Sequence, residues 1–322
     1  MKNLITTSTL LLALFFTNNT YAKIWRVNNT PAVVADFTTV QAAHDAASAG
    51  DTIHVEASVS GYAGVTATKQ LVYIGDGNFL TTDTLLQANT NNSSVGNITF
   101  NAGSANSVVE GLTLGYVNIF TDHILVKRNY LSGVWQYLNT GANNCTFSGN
   151  YFASYGFNEQ SGPISNLYIG NNIFGLINTT FGTDVSGTFE NNTVYNGYGL
   201  SVYNFQVDNN IFANNTPYTP NNVVPFNNIG SSTQFGNANG NQQNVNMTNV
   251  FNAFTANDAD LQLKAGSPAI GAGYLGVDCG AFGGPNPYKI GLIPNVPTIY
   301  KLTVPPVGTT NINVTVSTRS NN

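Results

Sequence analysis

Two acids and two tyrosines are the residues of this chain whose type and spacing could do chemistry. Glu190 and Asp208 each stand two positions before an Asn, in the phrases Phe189-Glu-Asn-Asn192-Thr-Val194 and Val207-Asp-Asn-Asn210-Ile-Phe212. If those phrases are neighbouring strands, the two carboxylates sit ~4.8 Å apart at the backbone. Acids that close repel, and one holds its proton more tightly. Such a pair could act as acid and base on a glycosidic bond, or hold a cation such as Ca²⁺. Two solvated surface acids that splay apart would look the same in sequence. Tyr130 and Tyr151 each follow an Asn in the same phrase. Two tyrosines one above the other could stack on sugar rings, with apolar faces and wet hydroxyls.

These readings require a repeat, and the chain has one. The phrase recurs as Val126-Lys-Arg-Asn129-Tyr-Leu131, Phe147-Ser-Gly-Asn150-Tyr-Phe152 and Ile169-Gly-Asn-Asn172-Ile-Phe174, then in the two copies above. The Asn residues fall 21, 22, 20 and 18 positions apart. A period of that length marks a stacked solenoid, in which each unit buries its apolar face against its neighbours. Apolar residues three before and two after each Asn share a strand face by two-residue spacing. Asn tolerates left-handed backbone and bonds local groups. Asn129, Asn150, Asn172, Asn192 and Asn210 therefore read as a structural ladder at one corner, like the Asn ladders of cross-β stacks. Ligand binding by that row is the competing reading. Leu112 takes the Asn position one coil earlier, so the ladder is expected to begin at Asn129.

With that phrase, the chain resembles the right-handed parallel β-helix superfamily of pectate lyases, polygalacturonases and many secreted bacterial proteins. The resemblance implies an all-β fold: a right-handed parallel β-helix with an N-terminal capping helix, here followed by a C-terminal β-hairpin tail. It does not name an activity, because a fold hosts many. Lyases of the superfamily use a basic residue beside a carboxylate-bound cation. Lys127 and Arg128 lie two to four coils from the acids. The hydrolases use clustered Asp from adjacent coils, which only Asp184, Glu190 and Asp208 approach.

Composition narrows the field. Of the 322 residues only 8% are charged and 42% are hydrophobic, with a net charge of −5. An ordinary globular enzyme carries about 25% charged residues. The acidic balance and scattered Lys and Arg argue against nucleic acid as a partner. Lys2, the apolar run Leu4–Phe16 and Thr20-Tyr-Ala22 read as a signal peptide over 1–22,. Export to the medium or the cell surface follows, without membrane insertion. Residues 23–284 read as the β-helix with its cap, and 285–322 as a Pro-rich lead and β tail.

Thr38 or Thr39 can start a short helix whose face carries Val40, Ala43, His44 and Ala47, placed to cover the solenoid's first rung. Cys145 and Cys279 read as small buried hydrophobes in different coils. His44, His54 and His123 lack metal-ligand spacing, and no cofactor is expected unless the acids take Ca²⁺. The row Tyr130, Tyr151, Ile173, Thr193, Ile211 should face outward yet is mostly apolar. Either its tyrosines bind sugar or the tail from Pro285 covers it, and a lone hairpin needs such a surface. Phe226-Asn-Asn-Ile229 reads as a further rung, Gly236–Asn246 as a loop, and Leu261–Gly284 as the closing coil. The expectation is an exported, non-catalytic, carbohydrate-associated or surface structural protein. The alternative is a polysaccharide lyase or glycoside hydrolase on an acidic glycan.

Overall fold

The computed structural model describes residues 22–83, 85–304 and 314–321. The expected signal peptide lies outside these residues apart from Ala22.

Short strands alternate with sharp bends, and every strand of the stack pairs in parallel with its counterpart one turn away. The first wall has nine strands, from Ile24–Val27 to Asn204–Asp208. Its register joins Val126, Phe147, Ile169, Phe189 and Val207 in one row. All five are fully buried. A second wall of eleven strands follows the bend. Its register joins Tyr130, Tyr151, Ile173, Thr193, Ile211 and Ile229. A third wall has the strands Ile177–Thr180, Gly197–Val202 and Tyr218–Pro220. The chain is thus a parallel β-solenoid of about nine turns. Its interior holds aromatic stacks such as Phe152 on Phe174 at 4.4 Å and Phe181 on Phe205 at 4.9 Å.

The corner between the first two walls carries the ladder. Each ladder Asn accepts, on Oδ1, the backbone N–H and the side-chain Nδ2–H of the Asn one turn earlier. Asn129 donates to Asn150 at 3.0 and 3.2 Å, and Asn150 to Asn172 at 2.9 and 3.0 Å. The same pair of bonds links Asn172 to Asn192 and Asn192 to Asn210. Each of these Nδ2 groups also donates to a first-wall carbonyl, Val126 O for Asn150 and Phe147 O for Asn172. Buried polar groups are costly unless paired, and here the pairing passes up the stack. At the near end the Leu112 N–H donates to Asn129 Oδ1 at 3.1 Å, which starts the ladder where the repeat implied.

At the far end the ladder is longer than the phrase showed. Asn210 donates to Asn228, and Asn228 donates to Asn241 at 2.8 and 3.1 Å. Asn241 falls in the stretch read as a loop. It lies 13 residues after Asn228, a spacing that breaks the period. The left-handed conformation also belongs elsewhere than expected. The residue before each ladder Asn adopts it: Arg128 (φ 52°), Gly149 (64°), Asn171 (56°), Asn191 (51°), Asn209 (57°) and Asn227 (54°).

The single helix described, α1 (Val40–Ala46), covers the start of the stack. Thr39 caps it through Oγ1, and it buries Val40, Ala43 and His44. Lys69 Nζ closes its far end on the carbonyls of His44, Asp45 and Ala47 at 2.8–3.0 Å. His44 Nε2 accepts the Thr68 N–H at 3.0 Å, a structural use of that ring.

Leu261–Gly284 does not close the solenoid. After Asn241 the chain leaves the stack and returns over the outside of the corner as a strap of turns and 3₁₀ segments. The left-handed row lashes it down in reverse order. Asn227 Nδ2 donates to Ala272 O, Asn209 Oδ1 accepts the Tyr274 N–H, and Asn191 Nδ2 donates to Asp278 O. Asn171 Nδ2 donates to Ala281 O and Gly283 O at 3.0 and 2.7 Å, and Arg128 Nη1 to Ile293 O at 3.2 Å. Gly-rich sequence suits a segment that must bond a wall through its own backbone.

The tail ends in an antiparallel hairpin, Thr298–Thr303 with Thr315–Arg319. The second strand lies a few residues beyond the expected Ile312–Val316, and Ile312 and Asn313 are outside the described residues. The hairpin is fixed to the body by the Ala88 N–H on Ile299 O (2.8 Å) and by Arg319 Nη2 on Leu86 O (3.2 Å).

Candidate functional site: an exposed aromatic wall

Tyr130 and Tyr151 do stack, with ring centroids 5.4 Å apart and planes within 5°. The stack is sealed. Phe79 packs edge-on against both rings at 5.5 and 5.0 Å, and Tyr151 is 4% exposed, its hydroxyl donating to Ala256 O at 2.6 Å. Tyr151 is closed to a sugar, and Tyr130 is left only partly open. The row is covered, but not mainly by the tail from Pro285. Its cover is Phe79 with Met247, Phe251, Leu261 and Ala281 of the strap, and of the expected tail only Tyr288 and Leu292 join.

Glu190 and Asp208 are directly paired in register. Their side chains go to different partners. Tyr168 donates its hydroxyl to Glu190 Oε1 at 2.8 Å. Gln206 donates to Asp208 Oδ2 at 2.5 Å, while Asp208 Oδ1 is buried without a partner. Asp208 is indeed harder to ionise than usual, because of burial and not because of Glu190,. No hydrogen bond links the two carboxylates among the described residues. Among the described residues no group of three or more His, Cys, Asp or Glu is placed to hold a metal. Lys127 pairs with Glu110 at 2.9 Å, and Asp184 lies beside Glu159 on another face.

Cys145 and Cys279 are free and fully buried. Burial pushes their thiols up to about 11 and about 12, so neither is a nucleophile at neutral pH. Cys145 lies in the core, whereas Cys279 belongs to the strap. A cleft of about 880 Å³ separates the hairpin from the wall at His54 and Asp76. Burial alone would lower the His54 pKa, but the hydrogen bond and charge of Asp76, 3.2 Å away, raise it overall. Asp76 also accepts the Ala57 N–H at 2.7 Å. Of the hydroxyls in this cleft, Thr298 is buried and accepts from Asn321, while Tyr300 is half-buried.

The aromatic surface lies further round the coil. Trp135, Tyr155 and Tyr198 follow ladder residues Asn129, Asn150 and Asn192 by six, five and six positions. Gln136 pairs with Phe157 in parallel, which sets Trp135 beside Tyr155 on adjacent turns. Their centroids are 5.0 Å apart, and Tyr155 meets Tyr198 at 5.8 Å. Tyr198 is 68% exposed, and the other two are half-buried. Tyr137 shares the outward face with Trp135 by two-residue alternation around the buried Gln136, and it meets Tyr116 edge-on at 5.3 Å. The Trp135 indole N–H and the Tyr155 and Tyr198 hydroxyls bond nothing among the described residues, so these donors face outward unspent.

Beside Tyr198 a shallow pocket of about 150 Å³ is lined by Asn178, Thr180, Ser201 and Thr219, with no charged side chain. Aromatic faces beside neutral amides and hydroxyls can stack on a sugar ring and bond its hydroxyls. The sequence carried a signal for this wall, since an aromatic recurs five or six positions after three ladder residues. Comparison of the chain with family models, with curated proteins and with solved structures returns no match.

Proposed function

We propose that this is an exported β-solenoid that binds a neutral glycan along the wall of Trp135, Tyr155 and Tyr198 and does not cleave it. The observation that carries the reading is that stripe: three aromatic rings in edge contact, from the turns of Asn129, Asn150 and Asn192, partly open to solvent, beside an uncharged polar pocket. A rigid stack suits the task, because rings fixed by a β-wall lose little entropy on binding. A right-handed coil of the pectin lyase-like kind, and residence outside the cell, belong to the same proposal. The parallel walls, the capping helix and the apolar N-terminal run support them. Lyase or hydrolase chemistry at Glu190 and Asp208 loses ground, because their side chains are committed to Tyr168 and Gln206.

A glycan array with the purified protein tests the proposal, followed by analysis of each bound glycan for shortened products. Binding to uncharged oligosaccharides with no cleavage is the expected result. Trp135→Ala with Tyr198→Ala should abolish it while leaving the fold intact. Cleavage of any glycan, or undiminished binding by the double variant, would overturn the proposal.

A further inference from the structure

A second site lies on the strap side of the corner and has the opposite electrostatic character. Three of the chain's ten Lys and Arg residues, Lys127, Arg128 and Lys289, line one pocket of about 280 Å³ together with Ser148, Gly149 and Asn286. This concentration occurs on a chain of net charge −5. Glu110 neutralises Lys127 at 2.9 Å. Arg128 and Lys289 have no acidic partner among the described residues. Arg128 spends only Nη1, on Ile293 O and the Asn295 side chain. Its other guanidinium donors, the Lys289 ammonium and the Ser148 hydroxyl bond nothing among the described residues.

The backbone adds an independent observation. Arg128 holds the left-handed position that Gly149, Asn171, Asn191, Asn209 and Asn227 hold in the other turns. That conformation is disfavoured for a long side chain by about 1 kcal/mol or more. The strap can be lashed without it, since Asn does so in four turns. What Arg adds is a charge with spare planar donors, aimed into the pocket. Strain kept at one position of a repeat points to a use beyond the scaffold. The next turn has Gly149, where a Cβ would meet only the Arg128 Cγ at 3.8 Å, so the floor stays open.

We infer that this pocket binds a tetrahedral oxyanion, sulfate or phosphate, either free or as an ester on a sugar. The charge-assisted donors of Arg128 and Lys289 would hold it, with Ser148 as a neutral donor. The site is separate from the aromatic wall and does not depend on the glycan proposal.

Isothermal titration with inorganic sulfate, inorganic phosphate and a sulfated monosaccharide tests it, in chloride buffer with a neutral monosaccharide as control. Saturable binding of at least one anion and none of the control is the expected result. Tighter binding of the sulfated sugar than of inorganic sulfate identifies an ester ligand, and equal binding a free ion. Arg128→Asn keeps a residue suited to the backbone and to the strap, so its melting temperature should hold or rise. Its anion affinity should fall about tenfold, as should that of Lys289→Gln. No saturable binding by any of the three anions, or unchanged affinity in both variants, would overturn the inference.

Discussion

Replacing Asn172 by Ala removes one rung from the middle of the ladder. The side chain makes four hydrogen bonds at a site with no solvent exposure. Its Oδ1 is the partner of the Asn150 backbone N–H, which is then buried unpaired at a cost of about 1–3 kcal/mol. Asn150 Nδ2 keeps Val126 O, and Asn192 Oδ1 keeps the Asn172 backbone N–H. Those groups and Phe147 O lose one bond each, at roughly 0.5–1 kcal/mol apiece. The expected destabilisation is therefore roughly 4 kcal/mol, read from urea unfolding followed by far-ultraviolet circular dichroism. Asn172→Asp sharpens the test. It keeps the acceptor but loses the donor, and sets a carboxylate oxygen against Phe147 O and Asn192 Oδ1. Its folded pKa should rise above the unfolded value, so it should be most stable at low pH and lose that stability as pH climbs. A loss below about 1 kcal/mol for the Ala variant, or an Asp variant indifferent to pH, would refute the claim that the ladder carries the corner.

The lashing of the strap gives a pH prediction. Asp83 lies against Asp258 under the strap with its Oδ2 buried and unpaired, and Asp258 accepts from Tyr288 and the Gly291 N–H. Burial first, and Asp83 next, push Asp258 from 3.8 up to about 7. A raised folded pKa means the protonated pair stabilises the fold fully below pH ~4 and is lost as pH rises through ~7. The loss should be on the order of 4 kcal/mol, and Asp258→Asn should flatten the pH profile of urea unfolding. Tyr151→Phe loses the bond to Ala256 and should cost about 1 kcal/mol by the same assay without changing glycan binding. Tyr198→Ala should do the reverse, costing under about 0.5 kcal/mol in stability and weakening glycan affinity about tenfold. Cys145 and Cys279 should resist thiol reagents in the native state and react on unfolding in urea, measured by absorbance.

How far the sequence could be read follows from which interactions are local. The ladder was legible from Asn129 to Asn210 because each turn repeats the same need at the same offset. It faded at Asn241, where the last turn shortens to 13 residues and the offset no longer points to it. The left-handed row was misplaced by one position, since both rows are rich in Asn and pattern alone does not say which side chain points inward. That the apolar row from Tyr130 to Ile211 needed a cover could be read from composition. What covers it could not, because the strap meets the wall over separations of about a hundred residues, such as Asn171 to Ala281, through backbone carbonyls that carry no residue-type signal. Glu190 and Asp208 were placed correctly in register, but their side-chain partners depend on rotamers that spacing does not set. Trp135, Tyr155 and Tyr198 lie past the bend, where the strict period lapses but an aromatic still recurs at a near-constant offset from the ladder.

The glycan-binding wall is most directly tested by the fluorescence of Trp135. The chain has two tryptophans, and Trp25 is held at the far end by Asp51. In a Trp25→Phe background the emission reports Trp135 alone. Titration with a neutral oligosaccharide that the protein retains should shift or quench this emission saturably, with the dissociation constant found by calorimetry, and Tyr198→Ala should weaken both together. Calorimetric binding that leaves Trp135 emission unchanged would contradict the account.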